Sequence, residues 1–386
     1  MKLFTTVAGI AGIALTVAAP AQAASSKRAT FGAMPDGRTV ESVTLTNGKG
    51  MSATVIAYGA ALQSVIVPDQ AGHKADVLLG YDNLQQYIDK GQYFGGTVGR
   101  FANRLAGGQF SIDGKRYQTP VNDGKNSLHG GTQGFDKVLW QIASVKDGAT
   151  ASVTLRYVSR DGEQGYPGTM TVDATYSLDE NDHLTIEYVA KTDKPTIANI
   201  SNHSYWNLSG EGSQGGAMGH RVLIPAQTYL PTDAGSIPTG EFKPVAGTVF
   251  DFRTPHAVGD RVRDASDEQI VFARGYDHNW VIGRTVTSDQ HLMAKVEDPT
   301  SGRGFELWSN QPGLQFYSGN FFDATTHGKS KHTYRMGDAI VMEPQIFPDA
   351  PNQQGFPDAK LMPGQTYRNV MTYRFTTGAP AASATN

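Results

Sequence analysis

Glycine-centred turns separate short alternating runs along almost the whole of this chain, and that punctuation constrains its fold more than any other feature. There are 44 glycines. Residues 40–46 and 51–57 are strand-like and split by Asn47-Gly48, a strong hairpin signal. Phe110-Ser111-Ile112 and Lys115-Arg116-Tyr117 flank Asp113-Gly114 in the same way. Further alternating runs cover residues 151–158, 169–177 and 184–190, the last two joined around Asp179-Glu180-Asn181-Asp182. One short helix is predicted, over residues 83–89, as a connector. No fixed-period repeat, no Pro- or Ser-rich linker and no internal shift of composition divides the chain. The reading is all-β: a single large sandwich of antiparallel sheets rather than two domains.

The two ends read differently. Lys2, an apolar stretch over residues 3–19, Pro20 and Ala21-Gln22-Ala23 have the layout of a secretory signal peptide, residues 1–23, cut after Ala23. A membrane anchor is the competing reading, but the stretch is short, Ala- and Gly-rich, and ends at a processing-type site. The mature chain, residues 24–386, is then expected to be one catalytic domain, periplasmic or secreted, with a disordered Ala/Thr/Ser-rich tail after Gly378. With no cysteine in the sequence, disulfides, thiolate catalysis and Cys-ligated metal sites are excluded, so stability rests on the core. The net charge is −3 with both signs interspersed, which gives no nucleic-acid surface and no membrane association after signal cleavage. A monomer is the default.

Five segments concentrate polar chemistry. In Asn202-His203-Ser204-Tyr205-Trp206-Asn207-Leu208 a histidine able to exchange protons near neutral pH sits among amides, a hydroxyl and aromatic rings. That mixture suits a sugar, whose C–H faces stack on rings while its hydroxyls need directional partners; a structural histidine among core aromatics is the alternative. Gly99-Arg100-Phe101-Ala102-Asn103-Arg104-Leu105 offers two arginine forks, unless both are solvated on a surface turn. His129 precedes Gly130-Gly131, where backbone can approach a ligand closely. Asp277 and His278 precede Trp280, and Asp277 either accepts sugar hydroxyls or caps a turn. Glu343 follows the apolar run Ala339-Ile340-Val341-Met342 as if at the end of a buried strand, where burial can tune a carboxylate as a base or an arginine can pair it.

Other chemistries find less support. No two histidines or carboxylates have zinc-ligand spacing along the chain, so no metal is expected. Ser204 lacks a Gly-x-Ser-x-Gly elbow, and no glycine loop with a lysine is present to cradle phosphate.

In order along the chain, these segments resemble the aldose 1-epimerase (galactose mutarotase) family. The likeness rests on residues 99–105, Leu128-His129-Gly130-Gly131 with Gly134-Phe135-Asp136-Lys137 and Trp140, and Asn202 to Leu208. It continues through Tyr276-Asp277-His278-Asn279, Gln315-Phe316-Tyr317-Ser318-Gly319-Asn320, Glu343-Pro344-Gln345 and Phe347-Pro348-Asp349-Ala350-Pro351-Asn352. It spans residues 31–375. The resemblance implies a large antiparallel β-supersandwich of the galactose mutarotase type, with a sugar cleft on one sheet. It also implies a cofactor-free interconversion of the α and β anomers of free aldoses such as glucose and galactose.

By that resemblance Glu343 is the general base at the C1 hydroxyl and His203 the general acid at the ring oxygen. Asn103, Arg104, His129, Asp277 and Gln315 bind the monosaccharide, Tyr205 and Trp206 shape or pack the cleft wall, and Arg100 and His278 are structural. The chemistry requires an ionised glutamate beside a protonated histidine, and mutual proximity is expected to favour both states. Trp206 and Trp280 stand where other bulky aromatics are usual, with a narrower pocket as the expected result. Three rivals remain at this point. A hexose-6-phosphate epimerase would need a cationic cluster; a non-catalytic sugar-binding protein would bind without turnover; a glycoside hydrolase would pair Glu343 with Asp277.

Overall fold

The computed structural model describes Met1 and residues 23–378. The expected signal peptide, apart from Met1 and Ala23, and the expected disordered tail lie outside the described residues. Every ladder between named strands is antiparallel. The largest sheet has nine strands and is built around the long hairpin Met170–Asp179 and His183–Thr192, with Thr150–Ser159 on one side and Tyr367–Thr377 on the other. Its period-2 burial follows from one face meeting the core and the other facing outward. Asp179 closes the hairpin: its Oδ1 accepts the backbone N–H of Asn181 at 2.8 Å and of His183 at 2.9 Å, an Asx-type turn in place of a backbone one.

A six-stranded sheet packs against the nine-stranded one. Its order is Tyr205–Trp206, Ile340–Gln345, Gly313–Tyr317, Asp277–Val281, Thr228–Leu230 and Lys243–Pro244. Trp206 carries much of the contact between the layers, with ring centroids 4.7 Å from Tyr373 and 5.3 Å from Phe305. A third, five-stranded sheet is formed by Ser25–Ala33 through Lys74–Asp76, and it contains the Asn47-Gly48 hairpin as Thr39–Thr46 and Ser52–Ile56. The described chain is the expected supersandwich of antiparallel sheets.

The predicted connector helix is Leu84–Lys90, capped by Asn83, whose side chain accepts from Gln86 N, and closed by Gly91 in the left-handed conformation. A second helix, Glu268–Ala273, was not anticipated. At six residues it is too short to show a helical period, and its signal is the Asp267 cap. Among the described residues, no helix is long and apolar enough to cross a membrane.

Candidate active site

Alternation along the three central strands of the six-stranded sheet selects what faces the cleft. Asp277 pairs with Tyr317, Asn279 with Gln315, and Gln315 with Glu343, so these side chains share one face. The residues between them, His278, Trp280, Phe316 and Met342, point the other way into apolar packing. One short stretch of sequence thus supplies both a cleft-facing carboxylate and a core aromatic.

Loops set the remaining groups over this face. Asn103 and His129 lock together: the Asn103 N–H donates to His129 Nδ1 at 3.1 Å, and the His129 N–H donates to the Asn103 carbonyl at 3.0 Å. Both hold left-handed backbone, with φ of 63° and 52°, a conformation uncommon outside glycine that clusters at functional sites. Gly130 allows this approach, since a Cβ there would lie 1.9 Å from the Gly99 carbonyl oxygen. Arg104 lies between two carboxylates, with Nε 2.8 Å from Asp123 Oδ2 and Nη1 3.7 Å from Asp277 Oδ2. Gln315 Nε2 donates to the other Asp277 oxygen at 2.7 Å. His203 is held by backbone bonds to Gly95 and Gly96, and its Nε2 lies 3.8 Å from Glu343 Oε1. That gap is too long for a hydrogen bond.

The resulting cleft of about 170 Å³ is walled by Tyr93, Tyr205, Tyr317, Phe321 and Phe322 and floored by Asn103, Arg104, His129, His203, Asp277 and Glu343. It is smaller than the roughly 300–1,000 Å³ of sites for drug-sized ligands, so it suits a small polar molecule rather than a polymer.

Burial dominates the electrostatics. Glu343 is 2 % exposed and His203 5 %. Desolvation, then the nearby Asp277 carboxylate, pushes the Glu343 carboxyl well above the usual range, with Arg104 opposing. Desolvation lowers His203 to about 4. The expectation that proximity keeps both groups charged is therefore corrected: in the free cleft, loss of water outweighs mutual attraction and favours a neutral pair sharing one proton. His129 is also held neutral, by burial first and then by His203, Arg104 and Lys137. For Arg104, burial works against the charge, yet Asp277 and Asp123 more than offset it and raise its pKa.

Sequence spacing gave no metal signal, yet folding brings His129, His203 and Glu343 together, with one ligand-type atom from each within 4.8 Å of the others. The donor set argues for hydrogen bonding instead. Because His129 Nδ1 accepts the Asn103 N–H, the hydrogen of the neutral ring sits on Nε2, which makes His129 a donor toward the cleft and not a lone-pair ligand.

All seven residues singled out from sequence converge here. Six line the cleft, while Gln315 lies behind Asp277 and beside Glu343. Arg100 is structural, as expected, but buried: its guanidinium donates to the carbonyls of Ser159, Arg160 and Pro167 and to Ser159 Oγ. His278 is structural too, fully buried with Nε2 3.1 Å from Gln269 Oε1.

Two expectations fail. Trp206 does not shape the cleft wall, and neither Trp206 nor Trp280 narrows the pocket. Alternation turns both to the far side of the sheet, where Trp206 meets Tyr373 and Trp280 donates to the Phe250 carbonyl. Sequence reasoning also missed Tyr93, Phe321, Phe322 and Asp123. Tyr93 was findable, because Gly91-Gln92-Tyr93-Phe94-Gly95-Gly96 has the same polar and aromatic mixture among glycines. Asp123 carried no local signal, since its partner Arg104 is distant in sequence.

The fold and this floor define a β-supersandwich with a buried histidine–glutamate pair in a small cleft. Residues 41–374 match the family described as aldose 1-epimerase. The galactose mutarotase of Homo sapiens is 41% identical over 353 residues, covering 91% of this chain and 99% of its own. The aldose 1-epimerase of Escherichia coli (strain K12) is 35% identical over 343 residues, covering 88% and 96%. The solved galactose 1-epimerase from Lactobacillus acidophilus NCFM matches with a TM-score of 0.80 at 30% identity, covering 92% and 99%. The chain belongs to the aldose 1-epimerase family.

Proposed function

We propose that this protein interconverts the α and β anomers of free aldoses such as glucose and galactose, with Glu343 as general base and His203 as general acid. The observation that carries this reading is the facing of His203 Nε2 and Glu343 Oε1 across 3.8 Å in the buried floor of the cleft. The C1 hydroxyl and the ring oxygen are bonded to the same carbon, so the groups that serve them must converge on one small volume.

Glu343 takes the C1 hydroxyl proton, C1 becomes a carbonyl, the bond from C1 to the ring oxygen breaks, and that oxygen takes a proton from His203. Rotation about C1–C2 presents the other face of the aldehyde, and the reversed transfers close the ring. The step draws on the ion-pair distribution of the one shared proton and returns the pair to the neutral distribution that burial favours. Asn103, Arg104, His129 and Asp277 hold the hydroxyls, with Arg104 and the His129 Nε2–H as donors and Asp277 as acceptor, and Gln315 supports them from behind by holding Asp277. The two proton transfers need nothing beyond these side chains.

The test is polarimetry of freshly dissolved α-D-glucose and α-D-galactose with wild type, Glu343→Gln and His203→Asn. Accelerated approach to anomeric equilibrium by wild type, lost in both variants, is the expected result. Binding without acceleration would favour a non-catalytic sugar-binding protein. Export also belongs to the proposal: residues 1–23 direct the chain to the periplasm or outside the cell, and residues 24–386 act as a monomeric domain. Amino-terminal sequencing of the exported protein is expected to begin at Ala24.

A further inference from the structure

The two oxygens of Glu343 differ in their surroundings. Oε1 faces His203, whereas Oε2 is buried with no hydrogen-bond partner among the described residues. The side chains on the same sheet face have the same property. Gln315, directly opposite Glu343, leaves Oε1 unpartnered; Asn279, directly opposite Gln315, leaves both Oδ1 and Nδ2; Gln345, two residues along from Glu343, leaves both Oε1 and Nε2. Asn279, Gln315 and Gln345 are 2 %, 3 % and 0 % exposed. Gly313 lies opposite Gln345 and contributes no side chain, and a Cβ there would sit 2.4 Å from Asn279 Oδ1 and 2.8 Å from Phe347. The glycine therefore leaves room for the Asn279 carboxamide over the central strand, at the position opposite Gln345.

Buried polar groups in native proteins are paired with protein or ordered water, and an unpaired one costs about 1–3 kcal/mol. Unpaired donors and acceptors gathered in one place, beside a carboxylate that must ionise, form a built site for water. We propose that Asn279, Gln345 and the Oε1 of Gln315 hold one or two ordered waters against Glu343 Oε2, making Asn279 and Gln345 positioning residues for the base. Each water accepts from a carboxamide N–H and donates to Glu343 Oε2 and a carboxamide oxygen, which satisfies the inventory on both sides. This supplies the polar solvation that the ionised base lacks at Oε2, without opening the cleft floor to bulk water.

The inference rests on the reading of Glu343 as the base. The other ionisable groups around that carboxylate are His203, His129, Asp277, Arg104, Tyr205 and Tyr373, and none of them is altered in the test. Asn279→Leu and Gln345→Met keep volume and remove hydrogen bonding. The expected result in each is an about tenfold lower kcat, an alkaline limb of the pH profile about one unit higher, an unmoved acid limb and an unchanged KM. Gln345→Asn, which keeps the amide, is expected to retain most of the wild-type rate.

A crystal structure of the wild-type protein with water within hydrogen-bond distance of Glu343 Oε2 and either carboxamide supports the site directly, whether or not the variants fold. No such water, or variants with wild-type profiles, overturns it. Glu343→Gln separates the two claims: if it remains active, the base assignment fails; if it is inactive while the carboxamide variants behave as wild type, only the water site fails.

Discussion

The hairpin Met170–Asp179 and His183–Thr192 and the strand Ile340–Gln345 have the same period-2 geometry, yet only the hairpin shows it to solvent. Along Met170–Asp179, buried and half-buried residues alternate without a break, whereas all six residues of Ile340–Gln345 are buried. The hairpin has one face on the core and one outward, so its sequence alternates in polarity. The strand is covered on both faces, and what alternates is the kind of buried group: Met342 toward the aromatic core, Glu343 toward the cleft. Buried polar groups without protein partners follow the same division. None is found in the hairpin's own side chains, although the strand beside it has two at Tyr373 and Arg374, whereas Asn279, Gln315, Glu343 and Gln345 each carry at least one. The hairpin is built for packing; the strands beneath the cleft keep polar groups without protein partners beside Glu343.

The sharpest break between the regions is expected from Glu343→Gln. Loss of the base should lower kcat by about 10²–10⁴-fold, while thermal stability holds or rises, since the substitution removes a carboxyl whose ionised form burial disfavours. Polarimetry and a thermal melt on the same sample check both halves. A large fall in melting temperature would mean that Glu343 holds the sheet together and that its unpaired oxygen has been misread.

Ile186→Ala is the converse. Ile186 is fully buried in the hairpin, opposite Tyr176 and Met371, and truncating it should cost about 2–5 kcal/mol of stability. The rate per folded molecule, measured well below the melting temperature, should stay at the wild-type value. A kcat loss at full folding would show that hairpin packing sets the position of the cleft floor.

The pH profile tests the proton count of the pair. If the working state holds one proton between Glu343 and His203, activity falls on the acid side when the second proton binds His203, near its lowered value of about 4, and not near the ordinary histidine value. On the alkaline side it falls when the last proton leaves Glu343, above the usual carboxylate range. An acid limb near 6.5 in the initial rate would indicate that the imidazole titrates as if solvated, and the neutral-pair account of the free cleft would be abandoned.

These contrasts also explain what was legible before folding. The hairpins were readable because turn chemistry is local: Asn47-Gly48, Asp113-Gly114 and the Asp179 turn all fall where strands reverse. The cleft residues were readable because polar groups inside apolar or glycine-rich runs are conspicuous, and the family resemblance assigned them roles that residue patterns alone left open. What stayed hidden depended on contacts between distant segments. Asp123 matters because it meets Arg104, the trio of His129, His203 and Glu343 forms only when three loops and strands converge, and the facing of Trp206 follows from the register of its strand with Ile340. The proton states were misjudged for a related reason: sequence shows which charges are near one another, but the water that burial removes is a property of the whole fold.

The smallest expected effect lies on the outward face of the hairpin. Thr154 and Thr175 are cross-strand partners with hydroxyl oxygens 3.0 Å apart, both half-buried. Thr175→Val keeps the β-branched shape that suits a pleated surface and removes one hydroxyl from a place that water can reach. No buried group is left unpaired, because the Thr154 hydroxyl can turn to solvent, so the change in stability should stay within about 0.5 kcal/mol by denaturant titration, with an unchanged slope. Activity should be unaffected, since this face points away from the core and the cleft lies on another sheet. A stability loss several times larger, or a measurable change in kcat, would show that the outward face of the nine-stranded sheet is coupled to the cleft, and the division of labour between the two regions would not hold.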